Sequence, residues 1–266
     1  MFLSSAARRS LQAFCILVLV VLYAPILYVA RLSVNTATNY AWPPRGFTLD
    51  WWHRALHEQG PRSALVHSIQ TGLWATAIAL LLGTMASFAL TRHRFFGHNA
   101  ISLVIVLPIA LPGIVTGIAL LSGFQRVGID LSLFTLVVAH ATFCVVIVYN
   151  NASARLRRLS PNLEEASADL GASQFQTLRY VMFPLMRSAL LAGGLLAFAL
   201  SFDEIVVTTF TAGVGYKTLP LWFADNFARP NAIPIVNVVA TFVVIASIIP
   251  VWLAQRITNP TETFTK

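Results

Sequence analysis

Residues 131–154, LSLFTLVVAHATFCVVIVYNNASA, contain no Asp, Glu, Lys or Arg. A helix needs about 20 mostly apolar residues to cross the ~30 Å hydrocarbon core of a bilayer, so this stretch predicts a spanning helix. Five others resemble it: 11–30, 63–91, 95–125, 230–255 and 188–210, the last interrupted by Asp203 and Glu204. Strands of a membrane barrel alternate in polarity over about ten residues, and neither 104–111 nor 190–200 has that period. The expected fold is all-α: a polytopic membrane protein with six transmembrane helices, forming a single transmembrane domain over 1–266.

Composition agrees. Charged residues make up 11% and apolar ones 57%, against roughly 25% charged in soluble domains, which excludes a soluble enzyme. Disorder needs the opposite balance, and two cysteines cannot build a disulfide scaffold. Cys15 and Cys144 fall in different spans and are read as packing residues. The stretch after Arg8-Arg9 is longer than the roughly 7–15 residues of a signal core, so it is expected to be a retained span.

Basic residues orient the chain. Arg8, Arg9, Arg92, Arg94, Arg155, Arg157, Arg158, Arg179, Arg187, Arg256 and Lys266 lie in alternate connecting segments, which predicts that both termini are cytoplasmic. This one-sided distribution accounts for most of the net charge of +8 without nucleic acid. The segment 33–62 is then periplasmic. Tyr40, Trp42, Trp51 and Trp52 there, with Trp222 and Phe223 between spans five and six, suit the headgroup region. Thr48 is placed to cap a short interfacial helix over 49–56. His53 and His57 share a face of it, but no third ligand is evident and no metal site is expected. Asn151-Ala152-Ser153 fits a glycosylation acceptor, yet falls on the cytoplasmic side.

Two features inside the spans point to a solute path. Pro108, Pro112, Gly113 and Gly117 cluster in the third span, predicting a kinked or broken helix there; exposed backbone at that depth is tolerated only against protein or a wet cavity. Asp203 and Glu204 are acids within the fifth span. An intramembrane carboxylate costs roughly 2.5–3.5 kcal/mol on insertion scales and normally faces a partner or a pathway. A cationic solute is one such partner; a helix break, Lys217 or a neighbouring subunit is another.

The longest cytoplasmic segment, 150–187, reads as two short helices. Ser160-Pro161 begins the first, with Glu164 and Glu165 near its positive end. Leu163, Ala166, Ser167 and Leu170 are spaced to share a face, with Glu164, Glu165 and Asp169 turned elsewhere. Gly171 ends that helix. Ser173 and Gln176 form a capping box for the second, and Pro184 closes the segment before span five. Such a presented helix pair is suited to docking.

Glu165-Ala166-Ser167, three residues, Gly171, nine residues and Val181-Met182-Phe183-Pro184 resemble the EAA motif of ABC-importer permeases, with Ser167, Val181 and Phe183 as mild departures. The resemblance implies the type I permease fold and makes this segment the coupling helix. Glu165 would then touch the ATPase, Ala166 and Ser167 would pack on it, Gly171 would supply the bend, and Glu164, Asp169 and Pro184 would flank the contact. The run 200–207, LSFDEIVV, with Gly213, Leu219-Pro220 and the segment from Arg229 to Asn237, is similar to the second permease subunit of spermidine/putrescine importers. This implies a bacterial inner-membrane importer with a second, different permease, a homodimeric ATPase and a periplasmic substrate-binding protein. It also implies polyamines or related amino compounds such as opines and aminophosphonates as solutes. No cofactor is expected on this chain: a P-loop needs glycine before lysine, whereas Lys217 and Lys266 follow Tyr216 and Thr265. ATP and Mg2+ belong on the ATPase. The rival is an ion- or proton-coupled secondary transporter using Asp203 or Glu204. A membrane enzyme has no supporting motif, neither nucleophile elbow nor metal triad.

Overall fold

The structure, a computed structural model, describes residues 5–38, 43 and 45–258; Tyr40, Trp42 and Lys266 lie outside the described residues. The helices run α1 (Ser5–Leu32), α2 (Asp50–His57), α3 (Gln59–Arg92), α4 (His98–Ala110), α5 (Gly113–Arg126), α6 (Leu133–Leu156), α7 (Asn162–Asp169), α8 (Gln174–Gln176), α9 (Phe183–Asp203), α10 (Val206–Thr211), α11 (Leu219–Asn226) and α12 (Ile233–Thr258). A π-helical stretch, Thr177–Met182, joins α8 to α9, and a 3-10 turn, Pro230–Ala232, leads into α12. Among the described residues there is no strand, only the isolated antiparallel bridge of Asn35 with Phe47.

Among the described residues, five helical runs are long and apolar enough to cross a membrane: Ala7–Leu32, Gln59–Arg92, Leu133–Leu156, Gln174–Asp203 and Pro230–Ile249. The third expected span is broken, with α4 and α5 meeting at 109°. Their 13 and 14 residues rise only ~20 Å each at 1.5 Å per residue. Neither half covers the ~30 Å core, so six spans exist only when the bent pair counts as one. The break sits at Leu111-Pro112, where ψ is 143° and 133°: a proline ring forces the residue before it out of the helical region. Pro108 lies within α4 without ending it.

The fifth span also departs from expectation. It starts at Gln174 rather than Ser188 and ends at Asp203, so α10 is a separate short helix. Pro184 does not close the cytoplasmic segment. It occupies the first turn of α9, directly after the π-helical stretch, a position where the absent N–H is tolerated.

The chain divides into two compact units, 1–62 with 223–251 and 63–222 with 252–266. In the first, α1 exposes its apolar side chains, with Val21 63% and Leu27 66% exposed, as a lipid-facing helix would. The Thr48 N–H donates to the Val34 carbonyl at 2.8 Å, and the Trp51 indole donates to the Asn35 carbonyl at 2.9 Å. Thr48 Oγ1 accepts the Asp50 N–H at 3.1 Å, but α2 starts one residue later than expected and its N-cap position is Leu49, not Thr48.

In the second unit α6 is the centre. Ala139, Ala141, Phe143, Cys144 and Val148 of α6 form one buried cluster with Ala75 and Ala79 of α3, Ala197 of α9 and Val207 of α10. Small residues let helix backbones approach where lipid supplies no hydrophobic drive. Cys144 is part of that packing, its thiol donating to the Ala197 carbonyl at 3.3 Å. A second cluster joins Ala152 and Leu156 of α6 to Met182, Met186 and Leu190, with Leu80 and Phe88 of α3 against it. Trp222 is buried rather than displayed to headgroups, because α11 is drawn onto α3 by the Leu219 N–H donating to Ser68 Oγ at 2.8 Å.

A close helix approach at Gly83 tests this packing. A Cβ on Gly83 would lie 2.9 Å from both the Val145 carbonyl oxygen and Val148 Cβ, so Gly83→Val should destabilise the protein by ~1–3 kcal/mol, lowering its thermal midpoint in detergent. Gly123 has open space around it, and Gly123→Ala should be neutral or raise stability by about 0.5–1 kcal/mol.

Candidate functional site

Two helix breaks come together, the one expected at Pro112-Gly113 and a second at Glu204-Ile205, where the sequence offered a break only as one alternative. A Cβ on Gly113, the first residue of α5, would lie 3.4 Å from Val206 Cγ1 at the start of α10. One turn on, a Cβ on Gly117 would lie 2.6 Å from the Phe210 ring. Glycine at these positions lets α5 lie against α10. Pro112-Gly113 thus stands beside the Glu204–Val206 turn.

The two acids at that turn differ. Glu204 is half-buried; its Oε1 accepts the Val207 N–H at 2.8 Å and its backbone carbonyl accepts the Thr208 hydroxyl at 2.8 Å. Its side chain thereby satisfies one of the backbone donors that the start of α10 would leave open. Asp203, the last residue of α9, is exposed. Of the expected pathway residues, Asp203 therefore carries the free carboxylate, and Glu204 the structural one.

His140 completes the arrangement. It is fully buried in α6, with Nδ1 2.8 Å from Ser201 Oγ on α9 and Nε2 2.9 Å from Thr208 Oγ1 on α10. Because the Thr208 hydroxyl donates to the Glu204 carbonyl, His140 Nε2 must donate to Thr208. A neutral ring then accepts from Ser201 at Nδ1, and all polar atoms are satisfied. The relay ties both sides of the break to α6. Histidine is neutral in a count of Asp, Glu, Lys and Arg, so His140 leaves no mark on the apolar pattern of 131–154.

The cytoplasmic segment forms the second candidate site. α7 starts with Ser160 Oγ accepting the Asn162 N–H at 3.3 Å. It ends at Gly171, whose φ of 80° lies in the left-handed region that favours glycine. The Ser173 and Gln176 capping box is present, at 2.7 and 3.3 Å. The expected face of Leu163, Ala166, Ser167 and Leu170 is split. Ser167 turns inward, its hydroxyl 2.9 Å from Thr177 Oγ1, because it lies at the margin of the helix that rests on the π-helical stretch. Glu164 also turns inward, with Oε1 2.8 Å from Arg92 Nε, an ion contact rather than an aligned hydrogen bond. Glu165, Ala166, Asp169 and Gly171 remain exposed, beside Leu170 and Phe175 at 89% and 68% exposure. Pro184 is exposed too, on the far side of the π-helical stretch from α7.

His53 and His57 stack with ring centroids 4.4 Å apart, and His57 Nδ1 lies 2.8 Å from the His53 carbonyl. The rings present faces rather than converging lone pairs. Asn151 and Ser153 stand within α6, the Asn151 amide donating to the Ile147 carbonyl at 2.9 Å.

Replacing His140 by leucine should leave the Ser201 and Thr208 hydroxyls without their ring partner. The expected cost is about 1–3 kcal/mol, read as a lower unfolding midpoint in detergent. Thr208→Val, which removes only one member of the relay, should cost less.

Comparison with known proteins identifies the family. Along 248 residues the chain is 35% identical to the spermidine/putrescine transport system permease protein PotC of Haemophilus influenzae, covering 93% of this chain and 96% of that one. The putrescine transport system permease protein PotI of Escherichia coli is 33% identical over 84% of this chain and 81% of its own length. Among solved structures, a bacterial ABC transporter involved in import of the acidic polysaccharide alginate aligns over 100% of both chains with a TM-score of 0.76 at 17% identity, a likeness of fold. Residues 75–260 match the family described as binding-protein-dependent transport system inner membrane component, a stretch that holds both helix breaks and α7, and the chain belongs to that family.

Proposed function

We propose that the chain is one of two different permease subunits of a bacterial inner-membrane ABC importer, moving a polyamine or a related small amino compound by ATP-driven alternating access. The observation that carries the reading is the outward surface of α7. Glu165, Ala166 and Asp169 are exposed there beside Leu170 and Phe175, an apolar and acidic patch presented between two spanning helices. An exposed apolar patch of this kind marks a binding surface. A homodimeric ATPase holding ATP and Mg2+ is its partner, and this chain does no catalysis. The ion pair that sets Arg92 beside Glu164, with Arg155 and Arg158 in the same cytoplasmic segment, supports the basic end as the inner face and both termini as cytoplasmic. A periplasmic binding protein delivers the solute to the opposite face.

The adjoining breaks at Pro112-Gly113 and Asp203-Glu204 line the path, with Asp203 offering its carboxylate to a cationic solute. The similarity to permeases of spermidine and putrescine systems supports that solute class. The rival secondary transporter has less support, because Glu204 Oε1 is engaged by the Val207 N–H and only Asp203 is left exposed.

In the complex reconstituted with ATPase, second permease and binding protein, Glu165→Ala and Gly171→Val should each lower ATP-dependent uptake about tenfold while the subunits still co-purify. Unchanged coupling in both would remove the ATPase-contact reading. Asp203→Asn should raise the KM for a polyamine roughly tenfold, the scale of one hydrogen bond to a charged group; an unaltered KM would remove Asp203 from the path.

A further inference from the structure

Arg92 is the last residue of α3 and Glu164 lies in the first turn of α7. A helix end is partly negative at its C-terminus and partly positive at its N-terminus. Each side chain is therefore favoured where it stands, and together they join two helix ends of opposite sign. The Arg92 side chain is only 13% exposed. Its Nη2 is buried and, among the described residues, has no hydrogen-bond partner. Glu164 is thus the counter-charge of a largely buried guanidinium, a stronger dependence than that of a solvent-exposed pair.

The geometry points to the Arg92–Glu164 pair as a strut that carries displacement of α7 into α3, making both positioning residues for coupled transport. This rests on α7 being the ATPase contact. Along the chain, α7 leads to α9 through the π-helical stretch, reinforced by Ser167 against Thr177. The strut adds a route that bypasses that stretch. It enters at the end of a helix that meets α6 at Gly83 and the Phe198 ring of α9 at Gly72. A push at Arg92 is therefore delivered to the packed helices of the unit rather than to a single helix end. Glu164 accordingly faces this chain, while Glu165 faces the partner.

The test is a charge exchange in the full complex in proteoliposomes, with solute uptake and ATP hydrolysis measured together. Arg92→Glu and Glu164→Arg alone should each lower solute moved per ATP hydrolysed about fivefold or more, and the double exchange, which restores opposite charges but sets each against its helix end, should recover part of the loss. Glu164→Gln, which keeps the side-chain volume, should reproduce the single-variant loss, with co-purification of all subunits unaltered. Loss in Glu164→Arg but not in Arg92→Glu would place Glu164 against the ATPase and overturn the strut. So would a double exchange no better than the singles, or losses explained by failed assembly. Absence of ATP-dependent uptake by the unaltered complex would overturn the importer reading, and the strut with it; normal uptake there with no recovery in the exchange would overturn the strut alone.

Discussion

A backbone amide left open in hydrocarbon costs several kcal/mol, and this chain interrupts two apolar helical runs, at Leu111-Pro112 and at Glu204-Ile205. Each interruption supplies its own remedy. Proline brings no N–H at the first, and the Pro112 carbonyl accepts from Val115 and Thr116 at 2.9 and 3.2 Å. At the second, Glu204 covers the Val207 N–H with its side chain and receives the Thr208 hydroxyl on its carbonyl. The two remedies meet because Gly113 and Gly117 present no side chain to α10. Of the two carboxylates in the fifth span, for which the sequence left a solute or a helix break open, Glu204 is the one that lets the helix restart after the break.

That turn is held in place by α6. His140 grips α9 through Ser201 and α10 through Thr208, and the grip needs the helices to be close. Closeness comes from Ala75, Ala79, Ala139 and Ala197, all fully buried. In lipid, where apolar surface gains little by leaving its surroundings, small residues and interhelical hydrogen bonds do the joining. The polar relay and the alanine packing thus join the same three helices, α6, α9 and α10, at neighbouring positions.

At the opposite end α7 divides its residues by direction. Glu164 and Ser167 face the chain that carries the helix; Glu165, Ala166 and Asp169 face away from it. A helix that must pass force between two bodies needs one face for each. The proposed ATPase contact would use the outward face of α7, and the Arg92–Glu164 strut the inward one.

Much of this was legible in the residues themselves. Uncharged length determined the spanning helices, Pro112 the broken one, Gly171 and the Ser173 with Gln176 box the limits of the short helices, because each is a local property of one or a few consecutive residues. The family was legible from the spacing between Glu165 and Pro184. Only the tertiary structure decided that Pro112-Gly113 and Glu204 share one place, that His140 ties them to α6, and that Glu164 belongs to Arg92 rather than to the outward face. Those are pairings between residues far apart in the chain, and in an apolar sequence without a strong helical period no pattern announces which neighbour a polar side chain will meet.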